Sequence, residues 1–267
     1  MGRFDFRTRT GQISAIIQGQ GATSVDADAQ AYFDRVTAAG GSLNITEQNA
    51  VNTLTLSLKS AGIWTLMKAI YPMVGASAAA CSQNLKSSSF TGTFTSGWTF
   101  QSTGVTGNGT SAFFNTNIIT TADLPSTNYG IGFYKRIAAT SPGPADIGTQ
   151  NANLNIFAKF SDGNTYHRGI NTPDSYVATS DIGFYHQYGK TTGSTAFYRS
   201  TRKLLNGAGN STNSSLTLCM AGNIFSPLGF NPSQYNFLFA SEQLTDTQAT
   251  DLYTAVQGFQ TSLSRQV

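Results

Sequence analysis

Cleavage of a glycosidic bond on a β scaffold needs two carboxylates flanking the bond. This sequence holds only two glutamates, Glu47 and Glu242, and no E-x-D-x-x-E run. Both fall at or just before expected helix starts, where the helix dipole accounts for a negative charge. The aspartates are scattered through expected turns (Asp123, Asp146, Asp162, Asp174) and helix starts (Asp26, Asp246). No carboxylate pair is expected, and no enzyme. His167 and His186, in TYHRG and FYHQY, lack the further ligands a zinc site requires. They are expected on strand surfaces or at an interface. The G-x-S-x-G turn that would present a nucleophilic serine is absent.

Binding chemistry has more material. Runs such as FYHQY and STAFYRS set aromatic residues side by side, so some should point away from a core. Tyr185, His186, Tyr188, Tyr198 and Arg199 are the candidates for a ligand site, because aromatic rings beside amides and charges hold a sugar face or a protein neighbour. The competing reading packs the same rings against a second layer or another subunit. The weak metal candidate is calcium, which takes several oxygens: Asp162 and Asn164 in SDGN, with Asp174 or Asp181. The reading as ordinary turn acids is the favoured one. No cofactor is expected. The glycine-rich stretch TGVTGNGTSAFFNT (103–116) does not match G-x-G-x-x-G and carries no phosphate-loop lysine. It reads as a hairpin or bulged turn.

Charged residues make up 11% of the chain, well below the roughly 25% of an ordinary soluble domain. The net charge is +3, and no long basic run supports nucleic-acid binding. Arg3, Phe4, Phe6, Arg7 and Arg9 crowd into MGRFDFRTRTG, a candidate anchoring tail. No stretch reaches the roughly 20 apolar residues of a membrane helix. Cys81 and Cys219 are expected to be free thiols, since cysteine is often a small buried apolar residue.

The elements that must position these groups follow from periodicity. Residues 1–24 read as an extended arm and 25–75 as a small helical unit. Residues 76–267 read as a β-sandwich closed by a C-terminal helix. Ala29, Tyr32, Phe33 and Val36 keep a helical spacing, with Ser24 as the expected N-cap and Gly40-Gly41 as the stop. Ala50, Val51, Leu54 and Leu58 form a second stripe, ended by Gly62. IWTLMKAIY is expected as a third helix before Pro72, and residues 72–89 as a linker. From Phe90 to about Ala240, short aromatic and β-branched runs alternate with turn residues, the pattern of an antiparallel sandwich. Asp162-Gly163 is expected as a two-residue hairpin turn. Thr245 and Gln248 form a capping box for a last helix whose apolar face is Ala249, Leu252, Val256, Phe259 and Leu263.

DAQAYFDRV, EQNAVNTL, WTLMKAIYP and GNGTSAFFNT together resemble a family of bacteriophage and prophage structural proteins. FLFASEQLTDTQATDLYTAVQGFQ is similar to the last strand and terminal helix of a concanavalin or laminin-G-like jelly roll. The likeness spans residues 25–267. It implies a virion component, made in the host cytoplasm, that carries a lectin-like sandwich on the head, a fibre or the tail. Its implied partners are other virion proteins, host surface glycan and further copies of itself, since decorations and fibres are symmetric. It brings no catalytic residues. The arm lies outside the likeness and is expected to fasten the protein to its particle.

Overall fold

Ala29, Tyr32, Phe33 and Val36 are buried along α1 (Ala27–Ala38), and Ala50, Val51, Leu54 and Leu58 along α2 (Ile45–Ser60). Both stripes sit where the periodicity puts them. α1 is capped by Asp26, not Ser24: its carboxylate accepts from Asp28 N, and Lys59 of α2 binds it at 2.7 Å. α2 opens with a reciprocal capping box between Asn44 and Glu47. The structure is a computed structural model. It describes residues 24–125, 127–139, 145–149, 154–169, 172–177, 180–189, 194–208, 217–220 and 230–267. The arm residues Arg3, Phe4, Phe6, Arg7 and Arg9 lie outside the described residues.

The expected third helix is a correction. Only Trp64–Leu66 makes a helical turn, of the tight 3-10 kind. The chain then extends as strand β1 (Met67–Tyr71) and pairs antiparallel with β15 (Gln234–Ser241), Ile70 facing Phe239. A short, mostly apolar run reads equally as buried helix or buried strand, and the free edge of β15 decides. Residues 72–89 are no loose linker either. They contain α3 (Ala78–Cys81), and Met73, Val74, Ala80, Cys81 and Leu85 are buried.

The other elements follow in chain order: β2 (Thr93–Phe94), β3 (Trp98–Gln101), β4 (Gly104–Gly107), β5 (Phe114–Ile119), α4 (Thr120–Asp123), β6 (Tyr129–Ile137), β7 (Ile147–Thr149), β8 (Leu154–Phe157), β9 (Asn164–Gly169), β10 (Thr172–Val177), β11 (Gly183–Gly189), β12 (Ser194–Arg199), β13 (Arg202–Ala208), β14 (Thr217–Met220) and α5 (Asp246–Ser262). They build two antiparallel sheets. One has the order β13-β12-β11-β6-β15-β4-β3, with β1 also on β15. The other runs β10-β9-β8-β7-β14-β5-β2. The molecule is a mainly β jelly-roll sandwich closed by a C-terminal helix.

Two apolar cores result. Between the sheets lie Phe133, Tyr185, Phe197 and Tyr235 from one sheet and Phe114, Ile147, Ile156 and Leu218 from the other. On the opposite face of the first sheet, Tyr134, Phe184, Phe237 and Phe239 meet α1, α2 and α5. Leu252, Val256 and Phe259 of α5 are buried there, and the capping box of Thr245 and Gln248 starts that helix. The helical unit at 25–75 and the sandwich at 76–267 therefore share one core across that boundary.

Two turns differ from expectation. Gly163 N donates to Phe160 O (2.9 Å) and Phe160 N to Asn164 O (2.7 Å), so the β8–β9 hairpin closes over three residues. Gly163, at φ +86°, takes the left-handed position that follows a type I turn. The stretch TGVTGNGTSAFFNT is not a hairpin, because β4 and β5 belong to different sheets. Asn108 Oδ1 shapes the crossing by accepting from the backbone N of Thr110, Ser111 and Ala112 (2.9, 2.9 and 3.1 Å).

Candidate functional site

β11 and β12 bring four of the five candidate ligand residues together, but inside the protein. Tyr185 pairs with Arg199 and His186 with Tyr198 across the two strands. Tyr185, His186 and Tyr188 are 0% exposed and Tyr198 is 2% exposed. The expectation of outward-facing rings is therefore corrected. Side chains alternate faces along a strand, and here both faces are covered. Tyr185 enters the core between the sheets, while Tyr188 and Tyr198 pack under the helices. Arg199 is half-buried, its guanidinium 6.0 Å from the Tyr185 ring centre.

Hydrogen bonds lock this cluster. His186 Nε2 meets Ser200 O at 3.0 Å, and a carbonyl only accepts, so Nε2 carries the proton. Nδ1 then accepts from the Tyr188 hydroxyl at 2.8 Å. Burial drives the His186 pKa down to about 4. Tyr198 donates to Asp246 Oδ1 (2.6 Å) at the start of α5. His167, expected on a surface, is also buried and stacks on Phe197 at 4.5 Å. Burial lowers its pKa to about 4 as well.

The surface candidate that remains is the β8–β9 hairpin. Phe160 lies 5.5 Å from Phe157 and 5.4 Å from Tyr166, both edge-on. Phe160 and Tyr166 are half-exposed, and Asp162 is exposed. Asp162 accepts from the Tyr166 hydroxyl (2.5 Å), from Asn164 N (2.9 Å) and from Asn164 Nδ2 (3.1 Å). These donors, Tyr166 foremost, hold its carboxyl below the usual range. The pair expected as a calcium candidate is thus an internally bonded turn. Among the described residues no three His, Cys, Asp or Glu side chains gather as a metal-binding group. The hairpin instead presents rings beside a carboxylate and an amide. SDGN pointed at the turn, whereas Phe160 and Tyr166 become neighbours only through the three-residue loop.

Other ionisable groups serve the scaffold. Glu47 accepts from Asn44 N (3.0 Å) and Gly75 N (2.9 Å). Glu242 pairs with Lys68 at 3.1 Å and accepts from Asn128 Nδ2 at 3.1 Å. Lys68, then Asn128, keep its pKa low. A buried cluster that sequence reading missed joins the two sheets. Lys135 Nζ, Asn231 Nδ2 and the Tyr235 hydroxyl all bind Asp146 Oδ1 (3.0, 3.0 and 2.6 Å), and Ala158 N binds Oδ2 (2.7 Å). Asp146 had read as a turn acid, and nothing in the spacing foretold its partners. Cys81 and Cys219 are free and buried, as expected. A groove of about 700 Å³ lies between α2 and α5, lined by Thr46, Thr53, Ser57, Thr254, Gly258 and Ser262 among others. Among the described residues no helix is long and apolar enough to cross a membrane.

No family model matches the chain, and no curated protein matches it. Solved structures do. Domain 4 of AbnA, an extracellular GH43 arabinanase from Geobacillus stearothermophilus solved with arabinotriose, is similar at TM-score 0.51 and 16% identity, over 70% of this chain and 98% of that domain. Trypanosoma rangeli sialidase is similar at TM-score 0.47 and 10% identity, over 78% of this chain and 39% of the sialidase. The binding domain of botulinum neurotoxin DC, solved with rat synaptotagmin II, is similar at TM-score 0.40 and 14% identity, over 55% of this chain and 40% of that one. The arabinanase domain establishes a shared β-sandwich fold.

Proposed function

We propose that the protein is a bacteriophage virion structural protein, displayed on the particle surface as a capsid decoration, head fibre or tail adsorption module. Its sandwich binds host glycan and does not cleave it. The observation that carries the glycan reading is the β8–β9 hairpin, where half-exposed Phe160 and Tyr166 flank Asp162 and Asn164. Rings offer an apolar face to a sugar, and the carboxylate and amide answer its hydroxyls. A sandwich of the same fold solved with arabinotriose adds a precedent. Binding without cleavage is supported by Glu47 and Glu242, each held by structural partners. The virion reading rests on the resemblance, carried most specifically by residues 25–118, and on a sequence poor in charge.

A glycan array probed with the full chain tests the binding half. Binding is expected, and Phe160→Ala with Tyr166→Ala should abolish it while the fold persists. An array without signal removes this half. Antibody labelling of intact particles in the electron microscope tests the virion half, and unlabelled particles would remove it. A second reading, a virion protein that only assembles, is favoured by the uncharged tract at 87–122, which includes a sheet edge.

A further inference from the structure

The sheet edges of this protein are guarded unequally. An exposed edge strand invites pairing, and proteins blunt such edges with charge, proline, shortness or a cover. The edge strand β13 carries Arg202 and Lys203. The edge strand β10 carries Pro173 and Asp174. β2 is only Thr93–Phe94. The outer side of β1 is closed by the Asn84 side chain, which accepts from Ile70 N, and by Leu85 N, which donates to Ile70 O. β3, with the sequence WTFQ, has none of these devices. It ends its sheet, pairing with β4 alone among the described residues. In an antiparallel ladder alternate residues turn their N–H and C=O away from the partner. β3 therefore presents backbone donors and acceptors along its outer side.

Its surroundings match that exposure. Residues 87–122 contain no Asp, Glu, Lys or Arg, so the strands β2 to β5 form an uncharged end of the sandwich. Three rings stand half-buried at this end. Phe94 lies 5.3 Å from Trp98 and 4.9 Å from Phe100, both edge-on. Thr99 and Gln101, exposed, point to the other face.

We propose that β3 pairs antiparallel with β3 of a second copy of this chain, about a two-fold axis, joining the two sheets into one. A two-fold interface must be complementary to itself. A neutral edge meets its copy without repulsion, rings continue onto rings, and Thr99 and Gln101 meet hydroxyls and amides. The charged edge β13 would repel its own copy. The inference does not depend on where the protein is placed in a particle or on whether it binds glycan.

Light scattering after size exclusion on the full chain tests it, with Thr99→Glu and Thr99→Lys as variants. Residue 99 is exposed and its side chain makes no core contact, so both variants should keep the wild-type circular dichroism. Wild type is expected as a dimer. Each variant alone places like charges across the axis and should raise the dimer dissociation constant at least about tenfold. Mixing the two variants should restore the dimer as a heterodimer. A monomeric wild type overturns the proposal. So does a dimer indifferent to both charges, or variants that weaken alone and do not recover on mixing.

Discussion

Lys135 and Asp146 form an ion pair with side chains 3% and 1% exposed, bridging the two sheets. A buried charge stripped of its partner keeps its desolvation penalty and loses the attraction that offset it. Lys135→Ala should therefore cost about 3–5 kcal/mol of unfolding free energy, read from urea denaturation. The double variant Lys135→Met with Asp146→Asn should recover part of that loss; equal losses would mean the charge is not the cause. The histidines give a second expectation. His167 and His186 have folded pKa values of about 4 against an ordinary value of 6.5. The unfolded chain thus binds more protons between these values, and stability falls as pH drops through that window. At full effect each histidine lowers the stability by about 3 kcal/mol. Denaturation midpoints at pH 7 and pH 4 check this, and His186→Gln should flatten the slope. At this scale the sequence was least legible. Period-two reading sees that Tyr185 and His186 face opposite ways, but not that helices from 25–60 and 246–262 cover the second face.

At the scale of elements, the helix stripes and the capping box of α5 were legible because they depend on neighbours within one turn, whereas α1 takes Asp26 and not the expected Ser24 as its cap. Asn44 with Glu47 and Thr245 with Gln248 meet across three residues. β1 was not legible, because Met67–Tyr71 becomes a strand only by meeting β15 from the far end of the chain. The same long reach explains Arg265, 0% exposed beyond α5. Its guanidinium donates to Met73 O (2.8 Å), Pro72 O (3.1 Å) and Asn236 O (3.1 Å), and its Nε to Gln260 Oε1 (3.0 Å). Arg265 thus ties the end of α5 to the exit of β1 and to β15. Arg265→Ala leaves those carbonyls buried without a donor. Charge-assisted bonds contribute about 1.5–3 kcal/mol each, non-additively, so a loss of at least about 3 kcal/mol is expected. Hydrogen exchange should localise it, with faster exchange at the C-terminal turn of α5 and at 72–75. A uniform change over the whole chain would argue against a local tie.

For the whole molecule, the layer order decides what can fold alone. Read by composition, residues 76–267 look like a complete sandwich with its own helix. In the structure the first sheet has two buried faces, and the helical unit covers one of them. Phe184, Phe237 and Phe239 share a core with Tyr32, Val36, Leu54 and Leu58. Cutting at 75/76 would also remove β1 and uncover the edge of β15. α5 alone would remain over that face, having lost α2, its helical neighbour across the groove. Burying a large apolar side chain contributes roughly 1.5–3 kcal/mol. Exposing Phe184, Phe237 and Phe239 alone removes about 4.5–9 kcal/mol, comparable to the 5–15 kcal/mol by which domains are ordinarily stable. Residues 76–267 alone should therefore lose near-ultraviolet dichroism and succumb to protease, while 24–267 keeps both signatures of a packed core. A cooperative melt from 76–267 at the temperature of the longer fragment would show that the sandwich is autonomous. The helices would then be an appendage, and not the third layer that the buried face of the first sheet requires.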